Sequence, residues 1–224
     1  MKKVLLGLVV GMSLSTAAAG ASPLEDYSLG RAEINAGTAV IPAMAVTTAL
    51  EGMGSSTDKT DARNRIEGGA TVGLGHNLAL QFKYVDSQQK PRGNAEYNMR
   101  TQEYNLRCKL DKNVSVYVGE LHARFAMKYA GKESSASRNM LQAGVQYEAK
   151  LGKNLTGWAG MGFGSNLQHY ELGLGYALTK NLDLDLSYQY TQVKDFTQNL
   201  AGAGDEFRRD VTAKGLYAGL SYKF

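Results

Sequence analysis

Few residues in this chain could do chemistry. It holds three histidines and one cysteine in 224 residues. His122, with Glu120 two residues away, is the His–carboxylate pair worth naming for general acid–base work. A structural histidine is the simpler reading of it. His76, His122 and His169 show no spacing that suggests a metal site. Asp183 and Asp185 form an acidic pair with no evident histidine partner. Gly160, Gly162 and Gly164 mimic part of a nucleotide loop, but they sit inside an alternating segment with no helix after it. Cys108 shares parity with the apolar Tyr104, Leu106 and Leu110, so it reads as a small hydrophobe. As a lone cysteine it excludes an internal disulfide. No catalytic constellation assembles from these residues, and no metal or cofactor is expected.

The elements that would carry them alternate with period two, the signature of strands. Four turns look alike: Gly75-His76-Asn77-Leu78, Asp111-Lys112-Asn113-Val114, Gly152-Lys153-Asn154-Leu155 and Thr179-Lys180-Asn181-Leu182. Each sets a basic residue or His before an Asn, then an apolar residue that opens a strand. Asn tolerates the left-handed conformation that tight hairpins demand. Apolar sets flank every turn, for example Tyr170, Leu172, Leu174 and Tyr176 before the fourth and Leu182, Leu184, Leu186, Tyr188 and Tyr190 after it. A strand through Ile34 and Val40 opens the series and one from Lys214 to Phe224 closes it. The count is ten, or eight if two hairpins are misread. Longer connections are expected on the other side, over residues 41–64, 86–98, 130–138, 164–167 and 193–210, the first continuing as strand through Val46 on one reading.

The N-terminus reads as an export signal. Lys2 and Lys3 precede an apolar run from Val4 to Val10, and Ala19-Gly20-Ala21 fits a small-x-small cleavage site. Cleavage after Ala21 leaves one domain over 22–224. It removes two lysines and no acid, so a formal charge of +4 falls to +2. That balance does not argue for nucleic acid, which wants a dense basic face. The signal's apolar run is shorter than the ~20 residues of a spanning helix, and no second stretch of that length follows it. In lipid every backbone group must find a partner within the protein, so alternating strands can span only as a closed barrel. The fold class is therefore all-β: an antiparallel, up-and-down transmembrane β-barrel.

Alternation assigns two faces. Tyr84, Tyr147, Tyr176, Tyr190, Tyr222 and Phe224 lie on the apolar face near strand ends, as headgroup-level girdles would. Phe125 and Tyr129 join the outer girdle. The opposite face carries Arg31, Glu33, Arg65, Glu67, Lys83, Glu103, Arg107, Glu120, His122, Arg124, Glu148, Lys150, Asp183 and Asp185. Charges of both signs in a narrow lumen would either pair into a plug or line a narrow polar passage. Barrel size favours the plug. Apolar parity switches beyond Gly119-Glu120, from Val114, Val116 and Val118 to Leu121, Ala123, Phe125 and Met127. A β-bulge there would reset the faces. A similar switch occurs near Thr101–Glu103.

Export signal, alternating strands, repeated turns and the terminal Leu220, Tyr222 and Phe224 together resemble the small bacterial outer-membrane barrels, the OmpA-like, OmpX-like and opacity-type porin-family domains. The resemblance implies a bacterial outer-membrane location. It implies contact with outer-membrane lipid and lipopolysaccharide, and use of periplasmic chaperones and the barrel-assembly machinery, which reads the terminal Phe strand. Members act as structural stabilisers, adhesins, surface-binding proteins or narrow pores, so a surface ligand at the outer loops is expected, with a diffusion channel as the alternative. Enzymes of this class include proteases and lipid A deacylases. The latter carry a His-x-Ser pattern that none of the three histidines matches, so a lipid-modifying enzyme ranks third.

Overall fold

The structure is a computed structural model and describes residues 23–50, 54–89, 95–129, 131–199 and 206–224. The export signal and the tips of several outer connections lie outside the described residues. The strands are β1 (Ala32–Leu50), β2 (Gly54–Gly75), β3 (Leu78–Gln89), β4 (Ala95–Lys109), β5 (Val114–Tyr129), β6 (Lys132–Lys150), β7 (Leu155–Gly164), β8 (Leu167–Ala177), β9 (Leu182–Asn199) and β10 (Glu206–Lys223). Each pairs antiparallel with its sequence neighbours, and β1 pairs with β10 to close a barrel of ten. Closure removes both sheet edges, the condition for backbone to sit in hydrocarbon.

The short turns are built in two ways. In the first, Gly75, His76 and Asn77 all take positive φ (82°, 54° and 63°). Asn113, Asn154 and Asn181 do not, which corrects the left-handed reading for three of the four turns. There the residue opening the next strand closes the turn: the Val114, Leu155 and Leu182 carbonyls each accept two backbone N–H groups. The Asn carbonyls then accept from Glu148, Ala177 and Lys223, extending the ladder by one rung.

The other end differs from expectation. Residues 41–64 and 193–210, expected from the sequence as long loops, are mostly strand: β1 and β2 continue to Leu50 and from Gly54, β9 to Asn199 and β10 from Glu206. Strand length shows why. β7 and β8, at 10 and 11 residues, match the 9–11 that cross a bilayer. β1, β2, β6, β9 and β10 have 18 to 22 residues. At about 3.3 Å per residue these project roughly 20 Å or more beyond the membrane.

The bulge expected at Gly119 or Glu120 is absent. β5 keeps register with both neighbours: Gly119 faces Asn105 and Gln142, and Glu120 faces Tyr104 and Leu141. Register shifts fall instead at Ala39/Ile41 in β1, twice in β2, and in β9 between Val193 and Phe196, opposite Arg209/Val211, where Asp195 takes positive φ. The parity switch in β5 is thus a change of surroundings, not of direction. Above the lipid the outside is water, so polar residues turn out and apolar ones turn in. Met44, Val46, Met99, Leu121, Ala123, Phe125, Met140, Leu167, Val193, Phe196 and Val211 form one buried cluster inside this upper barrel. The switch near Thr101–Glu103 has the same cause: Met99, Thr101, Glu103, Asn105 and Arg107 all point inward along one unbroken β4.

Candidate functional site

The interior is the natural place to look for a site, and it is filled in three layers. At the periplasmic mouth the segment before β1 folds back into the opening. Leu24 and Tyr27 pack on Ala79, all buried. The Tyr27 carbonyl accepts from the Gly75 N–H at 2.9 Å, and the Arg31 carbonyl from Gly73 at 2.8 Å. Lys109 reaches down to the Glu25 carbonyl (2.6 Å) and Glu148 (3.2 Å), and Lys150 pairs with Glu25 (2.8 Å). Asp26 accepts from Ser28 and pairs with Arg31, and these contacts hold its carboxyl below the usual range. Beside this peg a polar vestibule of about 660 Å³ opens to the periplasm, lined by Glu25, Lys109, Asp111, Lys112, Glu148 and Lys150 among others.

The middle layer is polar and paired. Arg65 and Glu67 meet at 2.6 Å with both side chains buried. Gln189 joins them, accepting from Arg65 (3.1 Å) and donating to Glu67 (3.0 Å), and the guanidinium lies 4.3 Å over the Tyr217 ring. Glu171 collects Lys83 (3.4 Å), the Trp158 indole N–H (2.8 Å) and His169 (3.7 Å). Gln142 donates to Glu103 and Asn105. Arg107 donates to Ser115 and Gln146. Lower down, Asp183 binds Lys223, Asp185 accepts from Ser221, and Glu33 accepts from Asn35. Glycine makes room for the large rings: a Cβ at Gly144 or Gly162 would strike Tyr117, and one at Gly173 would strike Trp158. A cavity of about 10 Å³ remains among Arg65, Lys83, Glu103, His169 and Gln189, roughly enough for one water. The third layer is the apolar cluster of the upper barrel.

Against the sequence reading, the structure brings Glu33, Arg65, Glu67, Lys83, Glu103, Arg107, Glu148, Asp183 and Asp185 together inside. It removes five residues from that set. Glu120, His122 and Arg124 point outward, because β5 does not bulge. Arg31 and Lys150 stand exposed at the periplasmic rim. Phe125, assigned to the outer girdle, is fully buried and stacks on Tyr97 instead. Tyr84, Tyr147, Tyr176, Tyr190, Tyr222 and Phe224 lie outward and partly exposed. Phe163, Tyr170 and Tyr190 form a chain of ring contacts at 5.7 and 5.9 Å, one row below the polar outer band. Sequence reasoning missed the Leu24–Tyr27 peg and the apolar cap. Unbroken parity through β4 and β5 was the signal for the cap.

Comparison with known proteins agrees with this architecture. The family model for the outer membrane protein beta-barrel domain matches residues 6–224. The chain belongs to that family. It is accordingly a protein of the bacterial outer membrane. No curated protein matches the sequence. Among solved structures, the outer membrane protease OmpT from Escherichia coli is similar in fold, with TM-score 0.52 and 10% identity over 87% of this chain and 97% of that one. The attachment invasion locus protein Ail of Yersinia pestis has TM-score 0.42 and 14% identity, covering 88% and 99%. Neisserial surface protein A has 0.41 and 18%, covering 87% and 97%. β7 and β8, at 10 and 11 residues, match a bilayer's thickness, so the apolar cap among the longer strands stands beyond the lipid.

Proposed function

We propose that this protein is a non-enzymatic structural or surface-binding barrel, acting through its outer connections and projecting strand ends. The observation that carries the reading is the filled interior. A solute would have to pass the Leu24–Tyr27 peg, the paired charges around Arg65 and Glu171, and the apolar cap. Each layer is packed, and an unpaired charge in such surroundings is costly to create. Catalysis has no better footing inside. His169, which pairs with Glu171, borders a space that holds about one water, which admits no substrate. His122 and Glu120 face out, away from the barrel interior.

The projecting strands carry the alternative surface. Loops and rims held by a rigid scaffold are where binding concentrates. Outer-membrane lipid, including lipopolysaccharide, is the surrounding partner in this reading. The outward-facing Leu220, Tyr222 and Phe224 are the strand that periplasmic chaperones and the assembly machinery would handle. The second reading is a narrow channel for water, ions or small solutes. The cavity of about 660 Å³ at the periplasmic rim favours it, since it brings Lys109 and Glu148 of the barrel interior to an open surface. Single-channel recording of the refolded mature chain in a planar bilayer separates the two. A silent bilayer is expected. Steady openings that scale with ionic strength would overturn the closed-barrel reading.

A further inference from the structure

At the periplasmic mouth β2 runs past the point where its neighbour begins. The β1–β2 ladder starts at Ala32 opposite Val72, so the Gly73 and Gly75 N–H groups at the end of β2 have no β1 partner. Backbone donors there still need acceptors. The segment before β1 supplies them: the Arg31 carbonyl accepts from Gly73 at 2.8 Å and the Tyr27 carbonyl from Gly75 at 2.9 Å. Gly73 is shaped for that approach, since a Cβ there would strike the Tyr27 and Ser28 carbonyls. Side chains add anchors. Leu24 and Tyr27 are buried with Ala79. Lys109 donates to the Glu25 carbonyl at 2.6 Å and lies 5.4 Å over the Tyr27 ring, and Lys150 pairs with the Glu25 carboxylate at 2.8 Å. Edge donors for the main chain with separate seats for side chains are the means by which a sheet recognises an extended peptide.

The occupant is held lightly. Two apolar side chains and a few polar contacts anchor it, and a segment with so few buried contacts opens at low cost. Its tether is exposed: Leu29 is 80% exposed, and Gly30 takes φ 89° in open space. Beside Glu25 a cavity of about 660 Å³ continues the site, lined in part by Lys109, Glu148 and Lys150. That volume lies within the range of ligand sites. We infer that the periplasmic mouth is a peptide-binding site whose built-in occupant is the segment 23–31. When that segment swings out, the mouth takes an extended stretch of another periplasmic polypeptide, one with an acid two residues before an aromatic. Lys109 and Lys150 select the acid, and the seat beside Ala79 takes the aromatic. The site lies at the opposite end of the barrel from the outer connections and does not depend on what they bind.

The full mature chain, refolded in detergent, is titrated with a fluorescent peptide of residues 23–30, with its Glu25→Lys form and with a scrambled form, and binding is read by anisotropy. A short tether holds a segment at an effective concentration on the order of millimolar, so the parent's own segment competes. In Leu24→Ala/Tyr27→Ala that segment is expected to leave the mouth, seen as protease cleavage within residues 23–31 with heat-modifiable migration of the barrel unchanged. This variant should bind the peptide at least about tenfold more tightly than the parent. Adding Lys109→Gln should cost about tenfold of that affinity through one charge-assisted contact. The Glu25→Lys and scrambled peptides should gain nothing from release of the segment. A segment that stays protected in the double variant, no tightening there, or equal binding of the scrambled peptide overturns the site. Binding undiminished by Lys109→Gln, or equal binding of the Glu25→Lys peptide, overturns the preference for an acid. Dimers of the parent that dissociate on adding peptide would make a second copy the occupant and overturn the separate partner.

Discussion

The lower and upper halves of this barrel are built from the same strands with opposite chemistry. In the lower half Val116 and Val118 face lipid while Ser115 and Tyr117 face a polar interior. In the upper half of the same β5, Leu121, Ala123 and Phe125 face an apolar interior while His122 and Arg124 face water. No bulge separates them. The lower half behaves as a membrane protein, with its polar groups inside because the outside is hydrocarbon. The upper half behaves as a soluble β-barrel with an ordinary core. What decides which face is apolar is the solvent outside, and a strand can cross from one regime to the other without changing direction.

The comparison can be broken hardest at the centre of each half. Glu67→Ala should cost about 3–5 kcal/mol, because it leaves the Arg65 guanidinium buried without its carboxylate. Replacing both partners with apolar residues of similar volume should recover most of that loss. Phe125→Ala in the upper half should cost a similar 3–5 kcal/mol or so, from lost burial and a cavity beside Phe196. Here no partner substitution should rescue it. Unfolding in denaturant reads all three, and failure of the double substitution to recover stability would dissolve the distinction.

Outward positions sharpen the boundary. Val118→Lys places a charge in lipid and should cost about 2–4 kcal/mol near the midplane. Ala126→Lys, eight residues along the same face, should change stability by no more than about 0.5 kcal/mol. Equal costs at the two positions would mean that the membrane reaches further up the barrel. At the periplasmic mouth, Tyr27→Ala should cost about 1–3 kcal/mol through lost burial. The effect should be confined to protease sensitivity of the N-terminal segment, with barrel migration on gels unchanged.

The smallest effect is acidification. Asp26, held below its ordinary value by Ser28 and Arg31, is ionised in the folded chain at pH values where the free segment begins to protonate. Its support for the peg is therefore complete above its ordinary value of 3.8 and fades as pH falls through the lowered folded value. Hydrogen exchange at Gly73 and Gly75 should quicken over that range, by little, since the group is open to solvent. Exchange that is unchanged, or slower, would place the hold on the peg elsewhere.

Much of the fold was legible in the sequence because the bilayer imposes simple rules. Alternation, hairpin turns and a terminal aromatic strand lead to ten antiparallel strands, and Glu33, Arg65, Glu67 and Asp185 follow from parity in the lower half. Where the rule changed, the reading failed. Treating apolar as lipid-facing everywhere turned Phe125 outward and His122 inward, and invented a bulge to make both true. The projecting strands look like loops in the sequence because polar residues such as Glu133, Ser135 and Ser137 alternate with small or charged ones, a weak strand pattern. The peg was invisible, since Leu24 and Tyr27 fall in a nine-residue stretch without periodicity. Its partners lie far along the chain at Ala79 and Lys109.

The central claim is that β5 passes straight from lipid into water. Thiol labelling of intact cells tests it most directly, in a Cys108→Ser background with single cysteines at 121 through 124. The account predicts that a membrane-impermeant maleimide reacts with His122→Cys and Arg124→Cys and spares Leu121→Cys and Ala123→Cys. Protection at 122 and 124, or labelling at 121 and 123, would contradict it and restore the bulge.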